Sequence, residues 1–262
     1  MLEDKSLVVM LHVPASPGLP GHPGMEEACR RVREEAALCR DAGANALLLE
    51  NMHDFPCIRE EEMGPEIPAY LTLLAREVRR ECPDLPLGIQ VLFAASRVAL
   101  SVAKAVGLDF VRAEGWLYAH VSDKGLLDAQ AGGLFRYRRE IGAESVAIFT
   151  DIQKKHASHA LTSDLGIAEQ AALLELHKSD GAIVTGSVTG DAPKVEDLKA
   201  VRGSTDLPLL IGSGITAGNF EDYFPLADAF IVGSFLKERG RWDAPLEPAR
   251  LEALSKLRER LT

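Results

Sequence analysis

This sequence has few cysteines, no basic tract and no long apolar run, and each shortage excludes something. Four cysteines (Cys29, Cys39, Cys57, Cys82) among 262 residues carry no metal-ligand spacing, and two of them fall within one predicted helix. They read as reduced thiols of a cytosolic protein, because disulfides are rare in that compartment. Twenty-nine basic against thirty-nine acidic residues leave a net charge of −10. Without a basic tract, neither nucleic acid nor an anionic membrane is an expected partner, and an anionic substrate needs a local site. No apolar run reaches the roughly 18 residues of a membrane span, and the opening Met-Leu-Glu-Asp-Lys lacks a signal-peptide layout. A cytoplasmic protein without membrane insertion is expected. There is no Gly-x-Ser-x-Gly elbow, no Walker loop and no His-Glu-x-x-His. No predicted strand carries a lysine near its C-terminal end, which disfavours aldolase-type covalent chemistry.

What is present is a steady alternation of short apolar runs and amphipathic segments. Predicted strands cover Leu7–Val13, Ala44–Glu50, Leu87–Phe93, Asp109–Glu114, Ser145–Asp151, Gly181–Thr185, Leu209–Ile211 and Phe230–Val232. Predicted helices cover Met25–Ala42, Pro65–Cys82, Ser96–Val106 and Asp128–Ile141. Four more begin near Ser163 or Asp164, after Pro193, at Thr216 and at about Pro248. The spacing of about thirty residues is that of a βαβ unit. An open doubly wound sheet would have fewer units and a Gly-x-Gly-x-x-Gly after the first strand, which is missing. The expected fold is α/β: one (β/α)₈ TIM barrel over residues 1–262. Two irregular stretches, the proline- and glycine-rich loop Pro14–Gly24 and the long loop Gly115–Gly125, are expected to carry function or cover the site.

The last two strands end abruptly in glycine plus serine. Gly212, Ser213 and Gly214 let backbone N–H groups crowd together and point outward. Gly233 and Ser234 do the same one strand later, at a predicted helix N-terminus whose dipole favours an anion. Gly186 and Ser187 close the sixth strand in the same manner. The loops after strands seven and eight form a common phosphate site in such barrels. The plainer alternative is that these glycines only make tight turns.

Catalytic groups in such barrels sit at the C-terminal strand ends. Those positions hold His12, Glu50 with Asn51, Arg112 with Glu114, Asp151, Thr185, Ser213 and Ser234. A carboxylate there is costly to desolvate and needs a partner, a ligand or a proton. Arg112 is the expected partner of Glu50 or Glu114, and a purely structural ion network is the alternative to chemistry. Asp151 with His156 or His159 reads as a base and its orienting group, or as ligands of a divalent metal. Lys154 and Lys155 read as a solvated pair, one of them free to neutralise a phosphate.

These same residues resemble the BtpA family, named for a protein required for photosystem I accumulation in cyanobacteria. The resemblance rests on Leu11–Pro14, Glu50-Asn51 with Asp54 and Pro56, Gly64–Glu66 and Val121–Gly125. It continues through Asp151–Ala157, Val184–Gly190 and Ile211–Thr216. It implies the barrel and a phosphate site, but no reaction. Phe93-Ala94-Ala95 stands where many members have Arg-Asn-Asp, and Glu114 where asparagine is frequent, as in a subgroup also found in animals. The resulting expectation is an enzyme acting on a small phosphorylated metabolite, a sugar phosphate or nucleotide-like compound. In it Asp151, Glu50, Glu114, His156 and Arg112 carry the chemistry, and Asp151→Asn abolishes turnover with the fold intact. A metal and a homo-oligomer both stay open. The alternative is a non-catalytic assembly factor for a membrane complex, with an exposed apolar patch around Trp116–Tyr118.

Overall fold

The computed structural model describes residues 2–188 and 190–262; Thr189, inside the Val184–Gly190 stretch, lies outside them. Eight apolar runs form strands β1 (Ser6–His12), β2 (Ala46–Glu50), β3 (Leu87–Gln90) and β4 (Phe110–Ala113), then β5 (Ala147–Asp151), β6 (Gly181–Val184), β7 (Leu209–Ile211) and β8 (Ala229–Val232). They pair in chain order, β8 returning to β1, as a closed parallel barrel. Side-chain alternation along each strand splits the core into two layers. Leu7, Val9 and Leu11 face the helices, while Val8 and Met10 face the barrel axis beside Leu48, Phe110, Phe149 and Ile183. The axial rings of Phe110 and Phe149 sit 5.4 Å apart. Gly88 and Gly181 leave room for them, since a Cβ there would come within 2.2 Å of Phe110 and 2.5 Å of Phe149. Truncating either ring to alanine would cost about 3–5 kcal/mol.

Helices α1 (Met25–Asp41), α2 (Glu66–Glu81), α3 (Ser96–Val106) and α4 (Ala131–Glu140) pack outside the sheet, followed by α5 (Ile167–Ala172), α6 (Val195–Arg202), α7 (Phe220–Tyr223) and α8 (Pro248–Leu261). α3 matches its expected span and stops at Gly107, whose φ of 76° breaks the helical path. α5 and α7 start later than expected. Ahead of α5 lies a 3₁₀ turn, Ala160–Thr162, and neither Ser163 nor Asp164 caps the helix. Ahead of α7, the Asn219 side chain accepts from the Thr216 N–H at 2.8 Å and donates to the Gly214 carbonyl, folding 216–219 into a turn.

The loop after β4 is not loose. Strands His120–Ser122 and Gly125–Leu127 form a hairpin, and Ala157–Ser158 from the loop after β5 joins it as a third antiparallel strand. This small sheet stands over one side of the mouth. Trp116 at its base is fully buried and Leu117 and Tyr118 are half-buried, while Val121 and Leu126, paired across the same hairpin, are the exposed apolar residues of this region. The Pro14–Gly24 loop is tied down instead of lining the mouth: Asp54 accepts from the Ser16 N–H and hydroxyl at 2.8 and 2.7 Å. Among the described residues no helix is long and apolar enough to cross a membrane.

Candidate active site at the barrel mouth

The alternation that aims Met10, Leu48, Phe110 and Phe149 at the axis aims the residue two places later inward as well, one level higher. Those residues are His12, Glu50, Arg112 and Asp151, and Gln90 follows Gly88 in the same way. Register locks the row: His12 lies opposite Glu50, and Glu50 opposite Gln90. A polar tier therefore caps the apolar axis at the C-terminal end of the barrel. Above it opens a cavity of about 390 Å³, walled by Met52, Phe55, Phe93, Phe235 and Trp242 and floored by His12, Glu50 and Arg112 of this tier.

Within the tier, charges are paired unequally. Arg112 donates from Nε and Nη2 to the two oxygens of Asp151 at 3.0 and 2.8 Å, a bidentate pair with both side chains buried. The expected pairing of Arg112 with Glu50 or Glu114 gives way to this one because β4 and β5 are neighbours in the barrel. Three donors converge on Glu114: the Ala94 N–H at 3.0 Å, Gln90 Nε2 at 3.2 Å and Lys154 Nζ at 3.4 Å. Burial pushes the Glu114 carboxyl above the usual carboxylate range, against the pull of Lys154.

Glu50 differs. Among the described residues no lysine or arginine forms an ion pair with it, and its near neighbour is His12, whose Nε2 lies 3.5 Å from Oε2. His12 Nδ1 faces the Trp242 carbonyl at 3.0 Å, an acceptor, so Nδ1 carries the proton and Nε2 a lone pair. Burial holds the imidazole down at about 4, so it is neutral. A lone pair facing a carboxyl oxygen fits a protonated Glu50, and burial raises Glu50 above the ordinary range. Lys155, Arg112 and Lys154 pull the other way, so Glu50 is a buried carboxyl on the cavity floor whose proton is held more tightly than that of an exposed glutamate.

The glycine turns line the same cavity. Gly212 through Thr216 form one wall with Gly233, Ser234 and Phe235 beside them. The N–H groups of Ser213, Gly214 and Ile215 donate to no acceptor among the described residues. The Ser213 hydroxyl is already committed, donating to the Asp191 carbonyl at 2.9 Å and accepting from the Gly186 N–H at 3.3 Å. A 3₁₀ turn, Ser234–Leu236, follows Gly233 where a helix N-terminus was expected. Gly186 and Ser187 line a neighbouring depression with Thr185, Asp191 and Lys194. Gly214 (φ 77°) must be glycine twice over, because a Cβ would also lie 2.0 Å from the Ala192 nitrogen.

His156 reaches the rim of the cavity with φ 56°, its N–H donating to the Ser187 carbonyl; the partner of Asp151 is Arg112. His159 instead meets the Lys154 carbonyl at 2.9 Å and the His120 ring at 5.1 Å. Among the described residues no three His, Cys, Asp or Glu side chains gather as metal ligands. Sequence reasoning passed over three contributors. His12 stood at a strand end but was given no role. Lys154, read as solvated, is buried, with its ammonium 5.3 Å from the Phe93 ring centre. Trp242, in the loop after β8, lies 5.1 Å from the His53 ring and 6.2 Å from that of Phe55, and no local motif announces it.

A model of the BtpA family matches residues 3–260. The chain belongs to the BtpA family. An uncharacterised mitochondrial protein of Caenorhabditis elegans is 42% identical over 252 residues, covering 94% of this chain and 90% of its own length. The photosystem I biogenesis protein BtpA of a Synechocystis strain is 31% identical over 248 residues, covering 94% and 84%. Among solved structures, thiamine phosphate pyrophosphorylase from Pyrococcus furiosus superposes with a TM-score of 0.59 at 17% identity, covering 98% of this chain and 96% of that one. A mutant tryptophan synthase alpha-subunit from the same organism gives 0.60 at 17%, covering 100% and 99%. These likenesses establish the fold, a TIM barrel. Within this BtpA-family chain, the loop after β3 and the end of β4 meet where Ala94 donates its N–H to Glu114.

Proposed function

We propose that this chain is an enzyme acting on a small phosphorylated metabolite by acid–base chemistry at the barrel mouth. The observation that carries the reading is Glu50, a buried carboxyl on the cavity floor beside a neutral imidazole and without an ion-pair partner among the described residues. A carboxyl of this kind is a poor structural element and a good proton carrier. Arg112, fixed by Asp151, faces developing negative charge, and Glu114 holds Lys154 beside it. His156 stands at the rim. The phosphate seat is the cavity wall from Gly212 to Gly214 together with Gly233 and Ser234, where the N–H groups of Ser213 and Gly214 have no acceptor among the described residues; Gly186 braces it by donating its N–H to the Ser213 hydroxyl, and Ser187 lines the neighbouring depression. Phosphorylated compounds in the names of two fold neighbours, thiamine phosphate pyrophosphorylase and phosphoribosyl anthranilate isomerase, agree with such a seat. Four free cysteines suit a reducing compartment, cytoplasmic or, as the nematode relative's name has it, mitochondrial. For the assembly-factor alternative, the burial of Trp116 removes one expected contact residue, while Val121 and Leu126 on the covering hairpin stay exposed.

A thermal-shift panel of inorganic phosphate, sugar phosphates and nucleotides, with and without divalent metals, tests this. At about a hundred times its dissociation constant a ligand adds roughly 2.7 kcal/mol, several degrees for a chain of this size. The shift should vanish in Gly233→Val, whose Cβ would stand 3.2 Å from Met10 and 3.7 Å from His12 Nε2. No shift with any phosphorylated compound would return the glycines to a purely structural role and favour the assembly factor.

A further inference from the structure

We propose that Lys155 is a nucleophilic amine that condenses with the carbonyl carbon of a phosphorylated aldehyde or ketone. The proposal rests on the phosphate reading above and names the group on which the site acts. Four cationic side chains approach the mouth. Arg112 is held by Asp151, Lys154 by Glu114 and Lys124 by Asp123. Lys155 has no ion pair among the described residues, yet it lines the same cavity as Glu50, Arg112 and Glu114.

The backbone explains how a loop residue comes to be there. The chain leaves β5 at Asp151 and folds back across the mouth. His159 Nε2 meets the Lys154 carbonyl, the His156 N–H meets the Ser187 carbonyl, and Ala157–Ser158 joins the covering sheet. Lysines 154 and 155 are thereby both turned inward. A strand lysine is missing from this barrel, and the pinned loop supplies its equivalent from above. Removal from water and the neighbouring guanidinium of Arg112 both favour the uncharged amine, lowering Lys155 from the ordinary lysine range.

The step balances without a further reagent. The Nζ lone pair forms the C–N bond while the C=O π pair moves to oxygen, which takes the Glu50 proton; Glu50 recovers a proton from nitrogen. A second proton from Glu50 to that hydroxyl releases water as the nitrogen lone pair closes the C=N bond, and the remaining N–H proton returns to Glu50. Amine and carbonyl enter, imine and water leave. The phosphate seat on the wall of β7 and β8 holds the other end of the same substrate.

The test uses the whole chain and pyridoxal 5′-phosphate, a phosphorylated aldehyde, with unphosphorylated pyridoxal as its control. Each is incubated with the protein, reduced with borohydride and mapped by peptide mass spectrometry. We expect one phosphopyridoxyl group on Lys155, formed roughly tenfold faster than on any other lysine. Its rate should reach half-maximum at a pH below the ordinary lysine range, pyridoxal should label more slowly, and inorganic phosphate should protect. Lys155→Met, which keeps the side-chain length without a charge, should lose the adduct and keep the melting temperature. Labelling confined to other lysines, while phosphate still raises the melting temperature, overturns the nucleophile and leaves the phosphate seat standing. Equal labelling of Lys155 by both aldehydes, unprotected by phosphate, keeps the amine and removes the seat. Neither adduct nor thermal shift removes both.

Discussion

Replacing two carboxyls of the mouth by their amides should have opposite consequences. Asp151→Asn strips the buried Arg112 of the carboxylate that accepts from its Nε and Nη2. Breaking a buried pair from one side costs about 3–5 kcal/mol, because the remaining charge stays out of water. At about 2–4 °C per kcal/mol for a chain of this size, the midpoint falls by roughly 6–20 °C. That revises the expectation of an intact fold in this variant. Glu50→Gln removes no ion pair with a lysine or arginine and imitates the protonated acid, with its amide N–H₂ able to donate to His12 Nε2. It should be as stable as the wild type or more so.

The sign of the pH dependence makes the contrast sharper. An unfolded glutamate titrates at about 4.3, and burial raises Glu50 above that in the fold. Between the two values the unfolded chain gives up a proton that the folded chain keeps, so wild-type stability falls as pH rises, and Glu50→Gln escapes the fall. The advantage of the variant should be absent below the unfolded value and widen by up to about 1.4 kcal/mol per pH unit above it. Urea denaturation of both proteins from about pH 4 to 7.5 reads this directly. A gap that stays flat with pH, or a Glu50→Gln loss as large as that of Asp151→Asn, would mean that Glu50 is ionised in the fold. The proton-carrier assignment would then fall.

His12, with its imidazole at about 4 in the fold against 6.5 ordinarily, should stay neutral by NMR to about pH 5.5. Because the unfolded chain alone gains a proton there, stability should fall by about 3 kcal/mol as pH drops from 6.5 to 4, and a ring protonating near its ordinary value would refute this. Of the two tryptophans, Trp242 lines the cavity while Trp116 is sealed. Phosphate-ligand binding should therefore change fluorescence in Trp116→Phe and leave Trp242→Phe silent; a signal surviving in the latter would move the ligand elsewhere. Gly214→Ala should cost about 3 kcal/mol or more by clash and backbone conformation together, whereas Gly218→Ala, with only the Thr216 hydroxyl at 3.8 Å, should cost far less. Similar denaturation midpoints for the two would refute the packing argument.

Most of the architecture was legible because apolar runs of strand length alternate with helical periodicity, and β7 and α3 fell on their expected bounds. β3 shows where that signal ends. Val91, Leu92 and Phe93 prolong its apolar run but leave the barrel: Val91 joins the outer core, while Leu92 and Phe93 line the cavity, Leu92 donating its N–H to the Asn51 side chain at 2.7 Å. A continuous apolar run reports burial, and burial beside a cavity looks the same in sequence as burial in a sheet. In the site, alternation was enough to select Glu50, Arg112 and Asp151 as residues of the mouth. It could not select their partners, which depend on which strands are neighbours and how each loop closes. Lys155 could be noted only as half of a solvated pair with a phosphate in reach, for the second reason: a lysine four residues beyond a strand shows its place only once the loop is seen to fold back.

The charges of the mouth argue against a barrel retained only as scaffold. Asp151 pairs with Arg112 and Glu114 with Lys154, while burial favours the uncharged form of Glu50 and no cation forms an ion pair with it among the described residues. Lys155 is left over, in a place where an unpaired ammonium is expensive. Two states relieve it: the amine gives up its proton, or an anion comes to it. The first produces a nucleophile and the second binds the class of ligand that the glycine turns favour. A scaffold requires neither, and apolar side chains of similar volume would fill the tier at lower cost. The polar tier is therefore better explained by what enters the cavity than by what holds the barrel together.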